Sequence, residues 1–147
     1  MFTVNECCHT CAYTRRLTGR CRVATDHCGM SLSAHFRPDS TIVEVHGAID
    51  ACNAERLSDD VAALAGRGRP LVLDLYCVDF SGGDGFRGLV RIAERCKGKG
   101  VRWALVPSDA VERLLRITDN NYRLPTAASL VEAIQRLTRH ENAWSPP

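Results

Sequence analysis

The stretch Val43-Glu44-Val45-His46-Gly47-Ala48-Ile49-Asp50 decides how this chain is read. Apolar and polar side chains alternate from Thr41 to Gly47, the pattern of a strand with one face on a core. The run then stops at an aspartate able to cap a helix. Backwards from it, Leu32, Ala34 and Phe36 alternate in the same way, and Arg37-Pro38-Asp39-Ser40 supplies turn chemistry between the two runs. Together they predict an opening β-hairpin. Forwards from it, Ala54, Leu57, Val61 and Leu64 recur at helical spacing and Gly66 and Gly68 end the helix, whose polar side carries Glu55, Arg56, Asp59 and Asp60.

The remaining chain continues this alternation. Pro70-Leu71-Val72-Leu73-Asp74-Leu75-Tyr76 is a short apolar run suited to a central strand covered on both faces, and its interruption at Asp74 requires either a partner or an edge position. From Asp84 a helix places Phe86, Leu89, Val90, Ala93 and Cys96 on one face and closes at Lys97-Gly98-Lys99-Gly100. Val101 to Val106 reads as a strand. Ser108 caps a third helix reaching about Ile117, the Asn120-Asn121 pair breaks it, and Tyr122-Arg123-Leu124 is a candidate short strand. Ser129 and Glu132 have capping-box spacing ahead of Leu130, Ile134 and Leu137. The order predicts an α/β fold: a mixed sheet of four to five strands, an N-terminal hairpin at its antiparallel edge, and about four helices packed on it.

A chain of 147 residues, 45% hydrophobic and 24% charged, has material for one domain with a core. No window reaches the roughly 18 apolar residues of a membrane span, and the N-terminal segment carries arginines, cysteines and histidines where a signal peptide needs an apolar run. The expected compartment is the cytoplasm, whose reducing conditions argue against structural disulfides. The net charge of +2 resides before Met30, where Arg15, Arg16, Arg20 and Arg22 face Glu6 and Asp26. The balanced remainder lacks the basic surplus expected of a nucleic-acid binder.

Four motifs in order, Gly47-Ala48-Ile49-Asp50, Val78-Asp79-Phe80, Gly82-Gly83-Asp84-Gly85 and Pro107-Ser108-Asp109-Ala110-Val111-Glu112-Arg113-Leu114-Leu115, resemble the STAS family of anti-sigma factor antagonists. The resemblance runs from Leu32 to Leu137. Family members end a strand in Gly-x-Leu/Ile-Asp, follow another with Val-x-Phe, open a helix with Asp-Ser-Ser-Gly, and later carry Pro-x-x-x-Val-x-x-Leu-Leu. The resemblance implies a non-catalytic module that binds an anti-sigma factor of the serine-kinase type, which in the family phosphorylates the first serine of the loop and so ends the association. Here Gly83 stands at that serine and Gly82 at the preceding aspartate, and glycine takes no phosphate. The charge of about −1.5 to −2 and the acceptor oxygens of a phosphate are therefore missing at this position.

Asp84 has two readings: a helix cap lying favourably on the positive end of the helix dipole, or a permanent negative charge near the place of a phosphate. Ser81 is read as a loop serine bonding to backbone or as a displaced acceptor. Asp50 reads first as a helix cap, and in the family the matching aspartate lies beside the loop. The candidate recognition surface thus combines Asp50 and Asn53 with Ser81, Gly82, Gly83, Asp84 and Arg87. A second copy of the chain is a further candidate partner. The alternative is a STAS subunit, or a ligand or redox sensor, of another complex such as a transporter.

Rival motifs fail on their own terms. Gly82-Gly83-Asp84-Gly85-Phe86 lacks the glutamate of the cyclase motif Gly-Gly-Asp-Glu-Phe and lies between strand and helix instead of in a hairpin. The Lys-Ser/Thr of a P-loop is missing too, and Asp84 would repel an anion. His35 and His46 lie on strands with no nucleophile or oxyanion arrangement around them, so they are read as structural.

Residues 1–30 form a separate cysteine-rich head, 31–139 the STAS domain and 140–147 a flexible tail. Cys8, Cys11, Cys21 and Cys28 supply enough thiolates for a tetrahedral zinc site; the alternatives are a redox-sensitive thiol cluster, or a disordered or even untranslated leader, since Met30 directly precedes the domain. No cofactor is required by the domain itself. Within it, Cys52 is placed in the first turn of a helix, where the dipole favours thiolate, and Cys52 and Cys77 form a candidate redox pair near the loop, against a reading of simple packing.

Overall fold

Strand alternates with helix along the chain in this computed structural model, which describes residues 23–27, 29–66, 69–118 and 124–143. The elements are β1 (Val23–His27), β2 (Met30–Phe36), β3 (Thr41–Ile49), α1 (Ala54–Leu64), β4 (Leu71–Ser81), α2 (Gly83–Lys99), β5 (Trp103–Pro107), α3 (Asp109–Thr118) and α4 (Leu130–Ala143). The strands lie in the order β1-β2-β3-β4-β5. β1, β2 and β3 run antiparallel, while β3, β4 and β5 are parallel neighbours joined by helical crossovers. The mixed sheet and opening hairpin expected from the sequence are therefore present, the hairpin being β2–β3 with its turn closed by Arg37 N–H donating to Ser40 O at 2.8 Å.

Three boundaries differ from expectation. β1 pairs with β2 along its whole length, Val23 opposite Ala34 through His27 opposite Met30, so the sheet reaches into the segment assigned to the head. Five residues among cysteines and arginines are too few to show a periodicity. α4 continues to Ala143, past the expected start of the tail. The short strand expected at Tyr122–Leu124 falls largely on residues outside those described. The chain instead touches β5 just afterwards: Leu105 N–H donates to Pro125 O and Ala127 N–H to Leu105 O, both at 2.8 Å, with Thr126 bridging Leu105.

Alternation along the strands sorts the side chains into two cores. Leu32, Val43, Val45, Leu71, Leu73, Leu75 and Leu105 face Leu57 and Val61 of α1, Leu89, Ile92 and Cys96 of α2, and Val111 and Leu115 of α3. Ile42, Val72, Ala104 and Val106 on the other face meet Leu130, Ala133, Ile134 and Leu137 of α4. β4 is thereby covered on both sides, which its apolar run foreshadowed. Burying each large aliphatic side chain contributes about 1.5–3 kcal/mol. Ser108 Oγ accepts from Val111 N–H at 3.2 Å and Ser129 Oγ from Glu132 N–H at 3.1 Å, so both serines cap as expected.

α1 and α2 are joined at both ends. A Cβ at Gly88 would lie 3.3 Å from the Ala54 carbonyl oxygen, so the absence of a side chain there lets the start of α1 come close. Further along α2, Arg95 reaches Asp59 Oδ1 at 2.9 Å, and Lys99 Nζ donates to the Ala62 and Ala65 carbonyls left open at the end of α1. No helix among the described residues is long and apolar enough to cross a membrane.

Gly47 adopts φ +97°, and a Cβ there would overlap the carbonyl oxygen of Gly29, which also accepts the Ala48 N–H at 3.3 Å. Left-handed backbone plus this overlap make any side chain unfavourable. Gly47→Ala is expected to lower the unfolding free energy by at least about 2 kcal/mol, read by denaturant titration.

Candidate functional site

Because β3 and β4 are parallel, their C-terminal ends meet at one edge of the sheet. Ile49 pairs with Ser81, and Gly82 N–H donates to Ile49 O at 3.4 Å. The turn after β3 and the loop after β4 therefore lie side by side, at the end of the parallel strands where crossover segments diverge and binding sites commonly form.

The turn is tied by its own side chains. Asp50 Oδ1 accepts from Cys52 N–H at 2.9 Å, and the Asp50 carbonyl accepts from Ala54 N–H, also at 2.9 Å. Asn53 Oδ1 accepts from Asp50 N–H at 3.0 Å, and its Nδ2 donates to Ala48 O at 2.8 Å. Asn53 is fully buried and occupies the N-cap position of α1. Two expectations change here. Asp50 organises the turn but does not cap the helix, and Asn53, expected on the recognition surface, is an internal brace. Cys52 is exposed in the turn ahead of α1 instead of in its first helical turn.

In the adjoining loop Gly82 is the N-cap of α2, and its carbonyl accepts from Gly85 N–H at 2.9 Å and Phe86 N–H at 3.2 Å. Asp84, one reading of which was the cap, lies instead inside the first turn, since Gly82 already holds the cap position. Its carboxylate still suits the positive end of the helix. Arg87 Nη1 approaches Asp84 Oδ1 at 3.6 Å in an exposed ion pair. Gly83 is exposed, and a Cβ built on it meets nothing within 4 Å. The structure thus brings together Asp50, the backbone of Ser81 to Gly83, Asp84 and Arg87, in an acidic, glycine-opened surface.

Cys77 lies opposite His46 on β4, whereas Cys52 is three residues beyond Ile49, so the two occupy different levels along the sheet. Each is disulfide-bonded, contrary to the expectation drawn from a reducing compartment. Cys96 is free and buried; burial pushes its thiol up to about 11 against the opposing influence of Lys99. The head cysteines Cys8, Cys11, Cys21 and Cys28 lie outside the described residues, and among the described residues no histidine, cysteine and carboxylate side chains group as metal ligands.

One cluster was not assembled from the sequence. Ser33, Glu44 and Asp74 stand directly opposite one another across β2, β3 and β4, each about 4% exposed or less. His35 Nε2 lies 3.2 Å from Glu44 Oε2, and Tyr76 N–H donates to Asp74 Oδ1 at 3.1 Å. Burial pushes the Asp74 carboxyl up to about 7; Glu44 adds to the rise, while the Tyr76 amide and His35 oppose it. The available signal was Asp74 interrupting an apolar strand. Its partner, on a strand remote in the chain, is visible only through the register.

A relative called osmosensory protein A, from Mycobacterium tuberculosis, is 38% identical over 88 residues, covering 60% of this chain and 56% of that protein; this chain thus spans little more than half of that relative. The structure of an anti-sigma factor antagonist from Mycobacterium paratuberculosis superposes with TM-score 0.63 at 25% identity, covering 74% of this chain and 94% of that one. The anti-sigma factor antagonist SpoIIAA in its unphosphorylated form shares the fold at 14% identity and TM-score 0.59, covering 74% and 96%. The model of the STAS domain matches residues 31–133, from the start of β2 into α4, and with the sheet order, the two crossover helices and the loop at Gly82–Asp84 it places this chain in the STAS domain family.

Proposed function

We propose that this protein is a non-catalytic anti-sigma factor antagonist that binds an anti-sigma factor of the serine-kinase type in the cytoplasm, needs no cofactor, and lacks the phosphorylation that ends such binding in the family. The observation that carries this reading is Gly83, exposed at the first position of α2 where the family holds its acceptor serine. The partner meets Asp50, Asp84 and Arg87 around that glycine, and no kinase removes the protein from it. Asp84 carries less charge than a phosphate and lies one residue along, so it imitates the modified state poorly.

The open space at Gly83 also supports a direct test. Isothermal titration against the anti-sigma factors of the source cell is expected to give binding by the reduced, unmodified protein to at least one of them. Failure with all of them would sink the proposal. Gly83→Ser should fold normally, take up one phosphate from that kinase and ATP, and then bind at least about tenfold more weakly, while the parent protein takes up none. Phosphate appearing on Ser81 of the parent would show that the acceptor was displaced and not lost.

A second reading, a redox sensor acting on the same surface, is favoured by the disulfide-bonded state of Cys52, within the turn that adjoins the loop, and of Cys77. Thiol labelling with mass spectrometry is expected to modify both residues only after reduction, and reduction to change partner affinity by about threefold or more. Equal affinity in both states would remove this reading.

A further inference from the structure

The polar row beneath the loop-bearing strand has no place in the binding surface, and it lies where β4 changes register. From Glu44 to His46 β3 advances two residues, while β4 advances three, from Asp74 to Cys77. The extra residue makes a β-bulge. Tyr76 N–H turns to the Asp74 carboxylate, and Tyr76 itself is 48% exposed beside an open cleft lined by Asp79, Ser108, Asp109 and Arg113. Beyond the bulge β4 runs to Ser81 and into the Gly82–Asp84 loop.

Two carboxyls opposite each other on neighbouring strands, buried to about 4% exposure or less, are unfavourable when both are ionised. The compensation is partial. His35 serves one oxygen of Glu44, and the other, Oε1, has no hydrogen-bond partner among the described residues. The charged and titratable groups facing the pair are His35 from β2 and His46 from β3. β5 presents Val106 opposite Asp74, and α4 presents Ala133, Ile134 and Leu137. His46 is half-buried, and burial lowers its pKa against the opposing effect of Glu44, so it brings little positive charge at neutral pH.

We propose that Asp74 carries a proton opposite Glu44, and that releasing it to water puts a second negative charge beside Glu44 under the bulge and loosens the β3–β4 pairing that leads into the loop. The protein thereby contains a pH-responsive joint between its core and its recognition edge. Only an O–H bond breaks, and the proton goes to solvent. The joint rests on the sheet geometry and the burial of the two carboxyls; its consequence for partner binding rests on the function proposed above.

The sign follows from linkage. Asp74 is pushed up to about 7 from an ordinary 3.8, so the folded state holds this proton more tightly than the unfolded one. Its contribution to stability is fully present below about pH 4 and is lost as pH rises to about 7. Carboxyl-detected NMR of the full chain is expected to show Asp74 titrating near neutral pH, and Glu44→Gln to move the Asp74 midpoint down. Asp74 titrating below about pH 5 would overturn the proposal.

Amide exchange supplies a second readout. Between pH 6 and 8 the protection factors of Cys77 and Val78 should fall roughly tenfold in the parent and stay constant in Asp74→Asn, while Tyr76, given a fully charged acceptor, keeps its protection. Asp74→Asn should also raise the thermal midpoint above that of the parent at pH 8, by a margin that shrinks as pH falls and closes near pH 4. Constant Cys77 and Val78 protection in the parent refutes the joint. Should Asp74→Asn fail to fold, the parent titration and Glu44→Gln still decide the matter, and none of these measurements requires the partner.

Discussion

The parallel pairing of β3 with β4 is the interaction on which the rest of this structure depends. It unites the two crossover helices on one face, seats α4 on the other, and brings the turn after Ile49 against the loop after Ser81. Parallel neighbours require a crossover, and that crossover, α1, starts from the same edge as α2. The edge that carries the turn and the loop is thus a direct product of the topology, and Gly47 is the position in β3 at which Gly29 passes close by.

Most of this architecture was legible because it is written in local periodicity. The alternation from Thr41 to Gly47, the helical spacing of Ala54 to Leu64 and the capping serines 108 and 129 each declare themselves within a few residues. What escaped was either too short or non-local. Five residues of β1 carry no period amid a cysteine-rich stretch. Asp50 and Asn53 are both good capping types, and only the fold decides that the asparagine goes inside and reaches Ala48 O. Gly82 takes the cap position of α2 with backbone alone, which no side-chain rule singles out. The loop's place could be read from a motif; the neighbours of Asp74 could not.

That carboxylate row breaks a rule the rest of the core obeys. Most of the other buried side chains of the sheet are aliphatic, and replacing Glu44 and Asp74 by such residues would suit burial better, since buried charges are seldom net stabilising. Their location at the register shift gives the polar group a local task. Tyr76 N–H, displaced from the ladder by the bulge, finds its acceptor in Asp74, so the acid that is awkward for the core also satisfies the irregularity of the strand.

The joining of α1 to α2 has a consequence for whatever docks on the edge. Ala54 against Gly88 at one end and Lys99 on the open carbonyls at the other leave the two helices little freedom to slide or splay. The segments that project from their N-terminal ends are therefore presented as a preformed template, already ordered before any encounter. For the partner proposed above, complex formation would then surrender little conformational entropy on this side, and the adjustment would fall on that partner.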